Sequence, residues 1–257
     1  MRFQGEVGIV TGGTSGIGRE VAARFVAEGG MVVLGGRDSQ KAKASAKLID
    51  PSGSRAIVHL GDVADPETAR GLVAVALNRF GRLDVLFNNA GIFAPKPFLD
   101  VSEADYDRFL NTILKGSFFT AQAAAKAMKE SNRGGAIVQT GSMWAMQAIG
   151  ATPSSAYSAA KAGVHAMVKN LAIELAPYKI RVNGIAPAVI ETPVYETFLP
   201  AKQVSDVVQS FNAFHPLGRN GQPADAAEAL MFLASDQAGF ITGAVLPVDG
   251  GVMAGRQ

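Results

Sequence analysis

Short apolar runs alternate with longer stretches of helical period along the 257 residues. The runs of strand length are Glu6–Thr11, Met31–Gly35, Arg55–Leu60, Leu83–Asn88, Ala136–Thr140, Ile180–Ile185 and Ala244–Val248. Several are almost continuously apolar, such as Val85-Leu86-Phe87 and Ala136-Ile137-Val138, which suits parallel strands covered on both faces. Between them the pattern predicts helices near Gly16–Glu28, Ser39–Leu48, Pro66–Phe80, Glu103–Lys129, Ser155–Leu175 and Ala224–Ala234. The third carries start and stop signals: Asp65 as cap, Pro66 in the first turn and Gly81 behind the last. No linker, repeat or low-complexity segment interrupts the order. It predicts one α/β domain over residues 1–257, a doubly wound sheet of seven mainly parallel strands with helices on both faces. The exception is residues 189–222, which carry Pro193, Pro200 and Pro216 and a helical patch near Lys202–Phe211. An insertion of this length is expected to cover a substrate site.

Composition narrows the function classes. The chain is 48% hydrophobic and 18% charged, as ordinary globular proteins are, and its net charge of +2 offers no footprint for nucleic acid or an anionic membrane. Without cysteine it has neither disulfides nor thiolate metal sites. His59, His165 and His215 are far apart in sequence and lack ligand spacing, so no metal site is expected and all three read as structural or surface residues. The chain starts at Met1 with a strand pattern and no secretory signal, and no apolar run reaches the ~20 residues of a membrane span. A cytoplasmic location is the expectation.

Two local patterns carry chemistry. The first strand runs into Thr11-Gly12-Gly13-Thr14-Ser15-Gly16-Ile17-Gly18, and a helix follows. Gly12 permits the tight turn, Gly16 lets the backbone approach a pyrophosphate, and Gly18 lets helix and strand pack closely. With a βαβ unit around it, this loop predicts a Rossmann-type dinucleotide site. Further along, Tyr157 and Lys161 stand four residues apart, on one face of a predicted helix. A fixed ammonium near a phenol favours the phenolate, so the pair is a candidate acid or base for work near neutral pH.

Together these residues resemble the short-chain dehydrogenase/reductase family over essentially the whole chain. Its markers occur in order as Thr11–Gly18, Asn88-Asn89-Ala90-Gly91, Ser142, Tyr157-x3-Lys161, Asn183-Gly184-Ile185-Ala186-Pro187, Thr192-Pro193 and Val248-Asp249-Gly250-Gly251. The resemblance implies an NAD(P)(H)-dependent oxidoreductase moving a hydride between nicotinamide and a carbonyl or secondary alcohol. Tyr157 would then be the general acid/base, Lys161 its pKa-lowering partner and ribose ligand, and Ser142 the donor to the substrate oxygen. The implied cofactor contacts are Gly12, Thr14, Ser15, Gly16, Ile17, Gly18, Arg37, Asp62, Val63, Asn88, Ala90, Gly91, Pro187, Ile190 and Thr192, beside Tyr157 and Lys161. Asp62 and Val63 would meet adenine, and Thr192 would hold the carboxamide. A homotetramer or homodimer is implied as well.

The chain departs from the family in three places. Ser142 and Tyr157 are 15 residues apart, a slightly longer separation than usual, so the loop Met143–Ser155 is enlarged. Ile113 stands where the central helix usually carries an Asn that helps hold a water near the lysine, and Asn111 would point elsewhere. Gly36 occupies the usual NAD carboxylate position and Arg37 follows, which favours NADP(H) over NAD(H) because a guanidinium suits a 2′-phosphate. Asp38 is a competing partner for Arg37. Met143, Trp144, Phe93 and Tyr195 are candidate walls of an apolar or aromatic pocket, although Trp144 could equally pack at a subunit interface. An acyl-carrier-protein-linked 3-oxoacyl reductase, a sugar dehydrogenase and a dinucleotide-binding protein without turnover are the alternatives.

Overall fold

A computed structural model gives the structure of residues 1–255. Its strands are β1 (Val7–Thr11), β2 (Met31–Gly36), β3 (Ala56–Leu60), β4 (Val85–Asn88), β5 (Gly135–Thr140), β6 (Ile180–Pro187) and β7 (Val245–Val248). They form one seven-stranded sheet in the order β3-β2-β1-β4-β5-β6-β7, and every neighbouring pair is parallel. All strands therefore end on the same rim, and the winding reverses between β1 and β4. In such sheets the crevice outside the strand ends at this reversal is where ligands bind.

The helices cover both faces, as the apolar runs require. They are α1 (Gly16–Ala27), α2 (Ser39–Ile49), α3 (Pro66–Phe80), α4 (Glu103–Phe109), α5 (Gly116–Ser131), α6 (Ser155–Leu175), α7 (Ala201–Ser210) and α8 (Pro223–Ala234). On one face, Val21 and Phe25 of α1 and Leu230 of α8 bury Val10, Leu34, Phe87 and Val138. On the other, Leu72 of α3, Ala124 and Met128 of α5 and Ala172 of α6 bury Ile9, Leu86, Ile137 and Val182. The alternation of these two sets along each strand is the period-2 signature of a sheet covered on both sides.

One helix differs from the sequence pattern. The helix predicted over 103–129 is a rod in three pieces, because a π-helical segment, Leu110–Lys115, separates α4 from α5. There the N–H of Gly116 reaches back to the carbonyls of Asn111 and Ile113. A π segment inserts a residue without breaking the apolar stripe, so the period alone does not reveal it. Leu114 in this segment packs on Gly163 of α6, where a Cβ would lie 2.8 Å from the leucine methyl. The insertion at 189–222 carries α7 where the sequence predicts a helical patch. It is closed at its base by a parallel bridge between Ile190 and Gly221, with Gly221 N–H to Val189 O and Glu191 N–H to Gly221 O both at 2.9 Å. Asn220 reinforces the closure through Nδ2, which donates to Val208 O (2.6 Å) and to Glu191 Oε1 (3.2 Å).

Candidate functional site

The rim between β1, β4 and β5 is organised by short polar side chains. Thr11 Oγ1 donates to Asn88 Oδ1 (3.2 Å) and accepts from the backbone N–H of Asn89 (2.9 Å) and Ala90 (3.0 Å). Asn88 Nδ2 donates to Ser117 O on α5 (2.8 Å), and Thr140 Oγ1 donates to Asn89 Oδ1 (3.3 Å). Asn88 is thus buried and fully engaged within the protein. Its side chain braces the strands, which leaves its backbone to any cofactor contact. Thr11, Asn89 and Thr140 carry the bracing with it; as small polar residues at strand ends, they give little signal of this in the sequence.

Ser142, Tyr157 and Lys161 converge at the end of β5. Ser142 caps a short 3₁₀ turn, Met143–Ala145, its Oγ accepting from Trp144 N–H at 3.2 Å. Lys161 is buried and donates from Nζ to Thr140 O at 2.6 Å. Its Nζ lies 5.9 Å from the centre of the Tyr157 ring. Burial pushes the Tyr157 phenol up to about 12, offset in part by a hydrogen bond with Ser142. Burial also pushes Lys161 down to about 8. Desolvation penalises the phenolate more than the Ser142 hydrogen bond favours it.

Ile113 is completely buried among Phe109, Ala156, Ala160 and Val164, and Asn111 faces solvent. No amide side chain stands at the Ile113 position. The loop Met143–Ser155 is anchored by Trp144 Nε1, which donates to Thr152 Oγ1 (3.0 Å), and by Lys96 N–H to Pro153 O (2.7 Å). Trp144 is only 9% exposed, so it packs within the fold, not on a free surface. Phe93 stands 4.9 Å from the Tyr157 ring, 5.9 Å from Trp144 and 5.5 Å from Phe198, between ring centres. Tyr195 meets Phe198 at 6.0 Å, and Phe109 closes on Tyr157 at 6.3 Å. Met143 is wholly buried beneath this aromatic wall. The predicted wall residues thus share one neighbourhood around the phenol.

The residues present also fit a dinucleotide. Ser15 precedes α1 without capping it by its side chain, which leaves the first N–H groups of that helix to an anion. Gly16 is left-handed (φ +51°), and a Cβ there would lie 3.1 Å from the methyl of Thr192. The loop and the base of the insertion therefore meet at this glycine. At Gly18 a Cβ would sit 2.3 Å from Gly12 O, so the close helix–strand approach is real. At Gly36 a Cβ would lie 2.6 Å from the Thr14 methyl, so Thr14 occupies the space a carboxylate side chain would need. Asp38 caps α2 by accepting from Lys41 N–H (3.0 Å) and leaves Arg37 alone. Arg37 is exposed and makes a loose pair with Asp62 at 3.4 Å. Of two other expected contacts, Ile190 is buried and Val63 half-buried. Ile190 packs between the sheet and α8, and Val63 lies against Gly116. Any cofactor contact of Ile190 falls to its backbone.

A family model described as enoyl-(acyl carrier protein) reductase matches residues 12–253. The chain is 40% identical to an L-rhamnose 1-dehydrogenase (NAD(P)(+)) of Azotobacter vinelandii, with 97% of each chain aligned. It is 39% identical to subunit BbsD of the (2S)-[(R)-hydroxy(phenyl)methyl]succinyl-CoA dehydrogenase of Thauera aromatica, with 98% of each covered. Among solved structures, a short-chain type dehydrogenase/reductase from Mycobacterium marinum superposes with a TM-score of 0.92 at 32% identity, over 98% of this chain and 97% of that one. The strand order, the glycine loop and these matches agree: the chain belongs to the short-chain dehydrogenase/reductase family of nicotinamide-dependent oxidoreductases.

Proposed function

We propose that this protein reduces uncharged, ring-bearing ketones or aldehydes with NADPH, Tyr157 giving the proton. The observation that carries the reading is the convergence of Ser142, Tyr157 and Lys161 on one strand end beneath an aromatic wall. The nicotinamide supplies the hydride when bound. Ser142 donates a hydrogen bond to the carbonyl oxygen, and the Tyr157 phenol delivers the proton to that oxygen as negative charge develops on it. Lys161 steadies the resulting phenolate with its charge. A phenol held near 12 is protonated throughout the physiological range and is therefore ready to act as an acid.

Support for NADPH comes from the filled space at Gly36 and from Arg37, whose only ion pair among the described residues is a long one. Support for a ring-bearing substrate comes from Phe93, Trp144, Tyr195 and Phe198, and a relative's name contains a phenylmethanol unit. The rhamnose dehydrogenase relative speaks for a sugar, but an aromatic wall offers few partners for hydroxyl groups. In this reading the whole chain works as one unit, with 189–222 as the cover of the pocket. We also read exposed Phe118 on α5, Ile173 on α6 and Phe240 beside β7 as surfaces buried in a homotetramer or homodimer.

The test is NADPH oxidation with acetophenone, cyclohexanone and benzaldehyde beside a hexose control. Turnover of the ring ketones, reduced at least a hundredfold in Tyr157→Phe, is expected. Tight NADPH binding without turnover of any carbonyl would favour a non-catalytic dinucleotide-binding protein instead.

A further inference from the structure

Helix α6 turns three polar side chains toward the end of β5, one per turn: Tyr157, Lys161 and His165. The first two form the proposed proton-transfer pair. His165 has no part in that chemistry, yet it touches the same strand end. Its Nε2 accepts a hydrogen bond from the backbone N–H of Ser142 at 3.2 Å. The approach depends on residue 141 being glycine, because a Cβ there would lie 2.1 Å from the imidazole nitrogen.

Successive residues of this segment are therefore held one by one. Thr140 O is held by Lys161 at 2.6 Å, Gly141 N–H by Ile185 O at 2.8 Å, and Ser142 N–H by His165. The ladder between β5 and β6 ends at Thr140 and Ile185, so Ser142 lies beyond it. Gly141 is the most permissive joint available to a chain. Without the imidazole, the serine would hang from that joint with an unpaired N–H, a state that buried backbone avoids. An accepting Nε2 also requires a neutral ring. Burial, with the charges of Lys161 and Lys169, pushes His165 down to about 4 and keeps it neutral at working pH.

We propose that His165 is a positioning residue of the active site: its Nε2 fixes the Ser142 backbone and so keeps the serine hydroxyl aimed at the substrate oxygen. The inference rests on reading Ser142 as the donor to that oxygen.

The experiment uses the full chain with NADPH and acetophenone. His165→Leu removes the acceptor at similar volume, whereas His165→Gln returns an acceptor at about the same reach. The leucine variant is expected to lose about tenfold in kcat, with KM for NADPH within about twofold of the parent, and the glutamine variant to recover most of the loss. In a Ser142→Ala background His165→Leu should cost nothing further, because its effect passes through the serine. Hydrogen–deuterium exchange supplies a readout free of turnover: the Ser142 amide should exchange faster in His165→Leu and stay protected in His165→Gln. Should the leucine variant not fold, His165→Asn, polar but too short to reach, takes its place. The proposal is overturned by unchanged kcat in the leucine or asparagine variant, by an equal loss in the Ser142→Ala background, or by unchanged amide protection. Failure of the underlying reading looks different: Ser142→Ala and Tyr157→Phe would then leave turnover intact.

Discussion

Burial acts on Tyr157 and Lys161 in opposite senses. It makes the phenol a weaker acid and the ammonium a stronger one, so that a proton leaving the pair at rising pH comes from Lys161 first. Lys161 is charged below about 8 and neutral above it. The rate of ketone reduction should therefore fall on the alkaline side with a midpoint near that value. Lys161→Arg, which keeps its charge, should lose overall rate but also lose this limb, and a pH–rate profile of both proteins would show it. Arg37 carries a second prediction of this kind. Arg37→Leu should raise KM for NADPH by about tenfold or more and leave KM for NADH nearly unchanged. Steady-state kinetics with the two cofactors separates these outcomes, and an equal response to NADH and NADPH would contradict the role given to Arg37.

Among the elements, the junction of β1 and α1 depends on one contact that no side chain can enter. Gly18→Ala would push a methyl to 2.3 Å from the Gly12 carbonyl, and the backbone cannot yield as a flexible side chain does. A loss of about 1–3 kcal/mol in stability is expected, together with loss of the thermal protection that NADPH gives the parent. Thermal unfolding with and without NADPH measures both. The strands and most helices are legible in the sequence because each apolar run must be covered on two faces, and that demand leaves a period. The glycine loop and the Tyr157–Lys161 spacing are legible because backbone approach and helical geometry restrict which residues fit. The π segment at Leu110–Lys115 is not, because an inserted residue keeps the apolar stripe intact. The role of Asn88 and the direction of the Tyr157 shift are hidden for another reason. Both depend on how deeply a group is buried and what lies beside it, and neither is written in spacing. His165 shares a face with Tyr157 and Lys161 by helical period, but an isolated histidine carries no ligand pattern to single it out.

Across the whole molecule, the rim opposite the site carries its own electrostatic load. Glu6, at the start of β1, lies near Asp84 and Asp236, and burial with these like charges pushes its carboxyl up to about 7 from an ordinary 4.5. Arg181, partly buried nearby, is occupied with the carbonyls of Leu233, Ala234 and Ser235 at the end of α8. A carboxyl whose pKa is raised on folding binds more protons in the native state between the two values. Its contribution is thus full below about 4.5 and is lost as pH rises through about 7. The melting temperature of the parent should fall between about pH 5 and pH 8 by more than that of Glu6→Gln. The variant should match the parent at the lower pH and exceed it at the higher. A parallel decline in both proteins would assign the dependence to other groups.

The loop between Ser142 and Tyr157 is clamped at each end and strutted across its middle by Trp144 and Thr152. Its length is thereby uncoupled from the register of α6 against β5. Segments of other lengths could be exchanged between these two clamps, changing which molecules are admitted while the reacting groups stay where they are.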